Sequence, residues 1–207
     1  MKKEQSFWDR VAARYARSPI KDIGAYRQTL ERTKAHLNPG DRVLEVGCGT
    51  GSTALLLAPD VTEITASDIS ARMIEIAKAK AEDEGVANVA FIHGAAAGKA
   101  TGSAPFDAVL AFNLLHLLDD LPAAIGRVRD QLKPGGLFIS KTSCLAEQSR
   151  LLPVLIFAMR LVGQAPYVRF LRLRELEDLI RGEGFEIVET DNHPSARPRR
   201  FIVARKA

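Results

Sequence analysis

The stretch Val43-Leu44-Glu45-Val46-Gly47-Cys48-Gly49-Thr50-Gly51 constrains this chain more than any other. A short apolar run, bounded upstream by Asn38-Pro39-Gly40-Asp41, gives way to alternate glycines. A run of that length between turn residues reads as a buried strand. The glycines let the backbone turn sharply and approach a ligand with no side chain between. A helix is expected to begin near Ser52. Strand, glycine loop and helix in that order belong to open α/β sheets, whose ligands bind at the carboxyl ends of the strands.

The rest of the chain keeps the alternation. Ile64–Ser67 ends in Asp68, Ser70 follows as an N-cap, and Met73, Ile74, Ala77 and Ala81 hold helical spacing until Gly85. Val89–Ile92 and Asp107–Phe112 read as the third and fourth strands. A helix over Leu121–Leu132 should close at Lys133-Pro134-Gly135-Gly136, with Leu137–Ser140 as strand five. A helix near Arg172–Arg181 then leads to Phe185–Glu189 and Phe201–Ala204, and two strands with no helix between them imply an antiparallel edge. The first forty residues read as helical from Phe7, Val11 and Tyr15 and from Tyr26, Leu30 and Leu37. The expected fold is one doubly wound, Rossmann-like α/β domain over 1–207. Its sheet is seven-stranded and mostly parallel, with an antiparallel edge strand and N-terminal helices.

Composition agrees with a globular domain and removes several classes. Apolar residues make up 46% of the 207 and charged residues 26%. No apolar stretch approaches the ~18 residues of a membrane span, and Met1–Ser6 runs into Phe7-Trp8-Asp9-Arg10 with no signal-peptide core. Two cysteines, Cys48 and Cys144, build no disulfide framework, and no Cys/His cluster offers a metal site. A reducing, cytoplasmic setting is expected. The net charge of +4 is uneven: residues 1–144 carry 18 basic and 17 acidic side chains, residues 145–207 carry 11 and 8. Gln148–Arg174 holds five arginines and no acid. Such a run is either a solvated face or the footprint of an anionic partner.

The loop's partner is Asp68, seventeen residues beyond Gly51 at the tip of the second strand, where a carboxylate accepts hydrogen bonds from a ribose diol. A dinucleotide fingerprint, G-x-G-x-x-G, would put its third glycine on Ser52. The chain has G-x-G-x-G instead. Glu45, two residues before the loop, is ill suited to a pyrophosphate and fits a cationic or zwitterionic ligand.

These residues resemble motif I of the class I S-adenosylmethionine (SAM)-dependent methyltransferases. Asp68-Ile69-Ser70 with Met73 is similar to that family's second motif. Phe106-Asp107-Ala108-Val109 with Asn113-Leu114-Leu115-His116 resembles its fourth-strand motif, and Leu132–Gly136 its turn into strand five. The resemblance covers roughly residues 5–144 and is closest to small-molecule and ubiquinone/menaquinone-type methyltransferases. It implies SAM as cofactor, S-adenosylhomocysteine (SAH) as product, and a cofactor site drawn from Tyr15, Glu45, Gly47, Cys48, Gly49, Gly51, Asp68, Ile69, Met73, Ala95, Ala96, Phe112 and Asn113. Glu45 and the loop would face the methionine end, Asp68 the ribose and Ile69 the adenine, with Tyr15 as cover. One departure stands out. Where the family commonly has Gly-Asp-Ala after strand three, this chain has Gly94-Ala95-Ala96, which removes an acceptor for the adenine amino group at about 0.5–1.5 kcal/mol.

Methyl transfer needs alignment first, and a base only where the acceptor must lose a proton. His116 is the candidate base, set against its reading as a partly buried histidine that organises the loop. His93 sits at a strand end with no evident partner, and His193 in a turn. Asn113-Leu114-Leu115-His116 lacks the Asp/Asn-Pro-Pro-Tyr/Phe motif of amino-methylating nucleic-acid enzymes, and no RNA-binding module is appended, so a small-molecule acceptor is expected and nucleic acid is not. The acceptor should be chosen by residues 145–175, a substrate-side insertion, with residues 1–40 as a helical cap. There, Arg150-Leu-Leu-Pro-Val-Leu-Ile-Phe-Ala-Met-Arg160 reads as a core helix flanked by solvated arginines. The alternative is a lid over an apolar acceptor with an acidic group, presented at a membrane surface through 150–174. Beside the enzyme stand two other readings, a SAM-binding sensor or partner subunit without turnover, and an NAD-dependent oxidoreductase.

Overall fold

The computed structural model describes residues 2–95, 105–147, 152–192 and 199–207. Seven strands form one sheet: β1 (Arg42–Val46), β2 (Glu63–Asp68), β3 (Val89–His93), β4 (Phe106–Phe112), β5 (Leu132–Ser143), β6 (Phe185–Asn192) and β7 (Arg199–Lys206). The order across the sheet is β3-β2-β1-β4-β5-β7-β6. All pairings from β3 to β5 are parallel, and β7 runs antiparallel between β5 and β6. The expected fold class is the observed one.

Period-two alternation builds two cores. Val43, Ile64, Ala66, Ala108, Leu110, Ile139 and Phe201 face one side, with α3 (Ser52–Leu57) and α4 (Ala71–Asp83) packed on them. Leu44, Val46, Val109, Ala111, Phe138 and Ile202 face the other, under α5 (Leu121–Gln131) and α7 (Leu173–Gly182). Full burial of such side chains contributes about 1.5–3 kcal/mol each. Helix α4 follows its sequence signals closely. Ser70 Oγ accepts from Met73 N at its start, Met73, Ile74, Ala77 and Ala81 are its buried residues, and Gly85 takes a φ of +66° after its end.

One turn differs from expectation. Lys133-Pro134-Gly135-Gly136 lies inside β5 rather than before it. Phe106 pairs Leu132 and Ala108 pairs Leu137, so five steps along β5 match two along β4. The resulting bulge is held by Lys133 Nζ, 2.6 Å from Asp107 Oδ1.

Two N-terminal helices, α1 (Lys2–Arg17) and α2 (Ile23–Lys34), cross the carboxyl edge of the sheet. Asp9 Oδ1 on α1 accepts from Ser70 Oγ (2.6 Å) and Arg72 N (3.2 Å), which docks α1 on the start of α4. Arg32 on α2 pairs with Glu189 and Asp191 of β6, and His36 Nε2 lies 2.9 Å from Glu189 Oε2. These ties fix both helices over the point where strand order reverses, between β1 and β4. Open α/β sheets place their ligands in that crevice.

Candidate cofactor and acceptor site

A cavity of about 1470 Å³ opens at this crevice. Drug-sized ligands occupy roughly 300–1,000 Å³, so the space accommodates two molecules side by side. Its proximal half is built on the glycine loop. Gly47 has a φ of +70°, and a Cβ there would stand 2.7 Å from Leu114 Cδ1. The loop therefore closes on the end of β4 only without a side chain. Gly49 N donates to Asp68 Oδ2 (2.9 Å) and Ser70 N to Asp68 Oδ1 (2.8 Å), so one carboxylate sets both the loop and the turn into α4.

Glu45 is the more unusual acid. It is buried, and its Oε2 has no hydrogen-bond partner among the described residues. Burial, with the nearby Asp68 charge, pushes its carboxyl up to about 8, against a smaller opposing hydrogen bond from the Ala54 backbone. Burial raises the Asp68 carboxyl too, and the Ser70 and Gly49 amides oppose it. Two acids aimed into one space with a spare acceptor suit a ligand carrying an ammonium group and a diol.

Of the sequence-predicted cofactor residues, Tyr15, Glu45, Gly47, Cys48, Gly49, Asp68, Ile69, Met73, Ala95, Phe112 and Asn113 all line this cavity. Gly51 does not. A Cβ there would meet Phe91 at 2.7 Å and Ala77 Cβ at 2.9 Å, so this glycine lets α3 pack rather than a ligand approach. Ala96, with His193 and Arg150, lies outside the described residues. Asn113, at φ +54°, is the one non-glycine among the described residues in the left-handed region, and its N–H is held by the Lys141 carbonyl at 2.7 Å. His93 does have partners: its Nε2 donates to the Ile69 carbonyl (3.0 Å), with Gln5 3.4 Å away. That contact braces the Asp68–Ser70 turn.

The distal half is walled by the α1–α2 connection, the turn after β4, the ends of β5 and β7, and Pro166–Val168. His116 lines it, and its Nδ1 is buried without a partner among the described residues. Burial, then the Arg199 charge, presses its pKa down to about 4. Lys141 was not foreseen. It is 5% exposed, and its Nζ donates to the Ala25 carbonyl (3.1 Å) and to Thr29 Oγ1. Burial, then Arg199, lowers it to about 8, against a smaller opposing effect of Asp22. A lone lysine following Leu137-Phe138-Ile139-Ser140 was the signal available. Tyr26, hydrogen-bonded to Thr53 at 3.1 Å, also faces the cavity.

The insertion overturns one reading. Helix α6 (Leu152–Leu161) has no buried residue, and Val154, Phe157 and Leu161 are 68%, 63% and 74% exposed, so it is not a core helix. Nor is its arginine flank free of acids in space. Arg160 approaches Glu4 (3.9 Å) and lies over the Tyr167 ring, and Arg169 approaches Glu175 (3.6 Å). Among the described residues no helix is long and apolar enough to cross a membrane, and no three His, Cys, Asp or Glu side chains group as metal ligands.

Comparison with known proteins bears on the ligand. The methyltransferase-domain family matches residues 43–136. A ubiquinone biosynthesis O-methyltransferase of Cereibacter sphaeroides strain KD131 is 32% identical over 72% of this chain and 62% of its own. A tRNA 5-carboxymethoxyuridine methyltransferase of Escherichia coli K12 is 36% identical over 53% of this chain and 43% of its own. The chain thus spans 43–62% of the length of these curated relatives. The crystal structure of a SAM-dependent methyltransferase from Thermotoga maritima superposes with a TM-score of 0.71 at 26% identity, covering 98% of this chain and 99% of that one.

Proposed function

The chain belongs to the class I SAM-dependent methyltransferases, and from that premise we propose that it transfers a methyl group from SAM to a small-molecule acceptor, apolar or anionic, held in the distal half of the cavity. The observation that carries this is the continuity of the two halves across Gly47, Asn113 and Leu114, in a space larger than one ligand needs. The helices of residues 1–40 act as a cap, and residues 145–175 as the acceptor-side insertion of a single domain.

The residues fit the cofactor by their own chemistry. Glu45 Oε2, buried and unpartnered among the described residues, would accept from an ammonium group. Asp68 has lone pairs left for a diol after serving Gly49 and Ser70. Ile69 and Met73 offer apolar faces to a base, and Tyr15, above Gly49, shields the mouth. SAM supplies an activated methyl group on a sulfonium whose departure leaves a neutral thioether. The chain's part is to align the acceptor and exclude water, which together supply much of the acceleration in such reactions. Where the acceptor is a hydroxyl, its proton must leave as the new bond forms. The His116 imidazole, neutral at pH 7, is the group proposed to receive it.

The test has two stages. Calorimetry should show SAM and SAH binding and no comparable response to NAD; tight NAD binding with no SAM response would overturn the reading. A labelled-methyl screen over phenols, quinols, amines and fatty acids should then yield a methylated product. SAM binding without turnover on any of them would favour the non-catalytic alternative.

A further inference from the structure

We propose that the distal half contains an oxyanion subsite, in which Lys141 and Arg199, with His116 beside them, receive one ionised oxygen of the acceptor, a carboxylate or a phenolate on an apolar body. This rests on the methyl-transfer reading and gives its acceptor a chemical class.

Three segments far apart in sequence meet here: the end of β5, the start of β7 and the turn after β4. Lys141 pairs with Phe201, and Ser143 with Arg199, across the antiparallel ladder. Period two puts Arg199 on the face of Phe201, so Arg199 is the diagonal neighbour of Lys141 at about 7–8 Å. Both side chains reach the cavity wall, and the Arg199 charge is felt at Lys141 and at His116 alike.

Two cations so placed repel, and among the described residues neither forms an ion pair with an acid of the chain. Beyond the backbone ladder, the Arg199 side chain has no ion pair or hydrogen bond among the described residues. Lys141 Nζ is held only by a backbone carbonyl and a hydroxyl, both neutral, leaving one of its three N–H groups for a ligand. Asp22 is the acid that opposes the lowering at Lys141, and it already accepts from Ala25 N (2.9 Å) as the cap of α2. An anionic acceptor oxygen supplies the missing partner and gains charge-assisted bonds that a neutral group cannot. Leu117, Leu118, Pro166 and Val168 line the same half and offer its body an apolar wall. His116, whose Nδ1 is buried without a partner among the described residues, lines the same cavity.

The experiment uses the full chain saturated with SAH and two probe pairs, 2-naphthoate against 2-naphthamide and 4-nitrophenol against 4-nitroanisole. If the subsite exists, 2-naphthoate binds about tenfold more tightly than 2-naphthamide, or bound 4-nitrophenol shifts towards its visible phenolate absorbance. The arm that responds tells carboxylate from phenolate. Arg199→Gln removes the preference, Arg199→Lys keeps most of it, and SAH affinity stays within about twofold of wild type in both. Equal binding within both pairs, no binding of either anion, or a preference that survives Arg199→Gln overturns the subsite while SAH binding stands. Failure of SAH to bind removes the methyl-transfer reading instead, and the subsite with it.

Discussion

The two halves of the cavity are built by different means. The proximal half is mostly backbone and two acids: Gly47–Gly49 lie against Asp68, whose two oxygens accept from Gly49 N and Ser70 N, and Glu45 is buried at the same loop. The distal half is mostly side chain, with Lys141, Arg199, His116 and Tyr167 brought from four separate segments onto one space. A loop fixed by its own amides has a single geometry and admits almost no substitution. A wall of long side chains can change one residue at a time without disturbing the sheet. A common cofactor and a variable acceptor call for that division.

The largest effect should come from breaking the proximal half. Asp68→Ala removes the acceptor for two backbone amides and for the proposed diol, and a charged hydrogen bond is worth about 1.5–3 kcal/mol. SAM affinity should fall at least about a hundredfold in calorimetry. Acceptor affinity, probed separately with 2-naphthoate, should change far less. An equal loss in both would mean that the two halves are one unit.

Glu45→Gln should act next, and in two directions. Its carboxyl stays protonated up to about 8, against 4.5 for a solvated glutamate. A raised carboxyl makes stability complete below pH 4.5 and erodes it as pH rises through 8, because the folded state resists ionisation. Glutamine does not titrate, so the variant should gain on wild type in melting temperature as pH climbs from 5 to 9. Its SAM affinity should nevertheless drop about tenfold, since an ammonium group then meets a neutral amide. In wild type the same carboxyl should ionise as the cofactor binds, releasing a proton near pH 7. Calorimetry in buffers of different ionisation enthalpy reads that directly. A variant that lost stability across the whole range would show that Glu45 is a framework residue and not a ligand group.

This division also explains what could be read from the chain. The proximal half was legible because Gly47-Cys48-Gly49, Asp68 and Ser70 act within local segments whose turns are written in residue type. Gly51 stands outside the cavity wall, and spacing alone does not tell a glycine cleared for a ligand from one cleared for Phe91. The distal half was largely hidden. Arg199 meets Lys141 only through the β5–β7 ladder, and no period in the sequence announces an antiparallel register. The bulge at Lys133–Gly136 was missed for a similar reason: a Pro-Gly-Gly run signals a turn and does not say that the strand continues through it.

Helix α1 is the seam between the halves and offers a subtler break. Asp9 ties it to α4, while Glu4 Oε2 accepts from Tyr167 N (3.1 Å) and Arg10 Nη2 donates to the Gly163 carbonyl (2.6 Å). Glu4→Gln weakens the distal tie and its contact with Arg160. Exposed pairs of this kind contribute about 0–1 kcal/mol, so acceptor KM should rise about two- to fivefold with SAM affinity unchanged. A matching loss of SAM affinity would show that α1 transmits strain from one half to the other.

The smallest effect is expected on α6, and there a null result is informative. Phe157 is 63% exposed and packs into no core, so Phe157→Ser should change stability by less than about 0.5 kcal/mol in thermal unfolding. An exposed phenylalanine that does nothing for folding is retained at some expense in solubility, and four other large apolar residues between 154 and 162 share that exposure. Such a helix gains free energy only when something apolar covers it. If it covers the acceptor, Phe157→Ser weakens an apolar acceptor about three- to tenfold and leaves a short polar one untouched. If it lies on lipid, the loss appears in flotation with anionic vesicles, and acceptor binding in solution is unchanged. Arg160, the basic residue on α6 itself, and Arg169 beyond it already lie beside Glu4 and Glu175, which offsets part of the charge that could draw this helix to an anionic surface. The acceptor arm should therefore carry the change. Destabilisation beyond 1 kcal/mol would return α6 to the core and undo its assignment to the distal half.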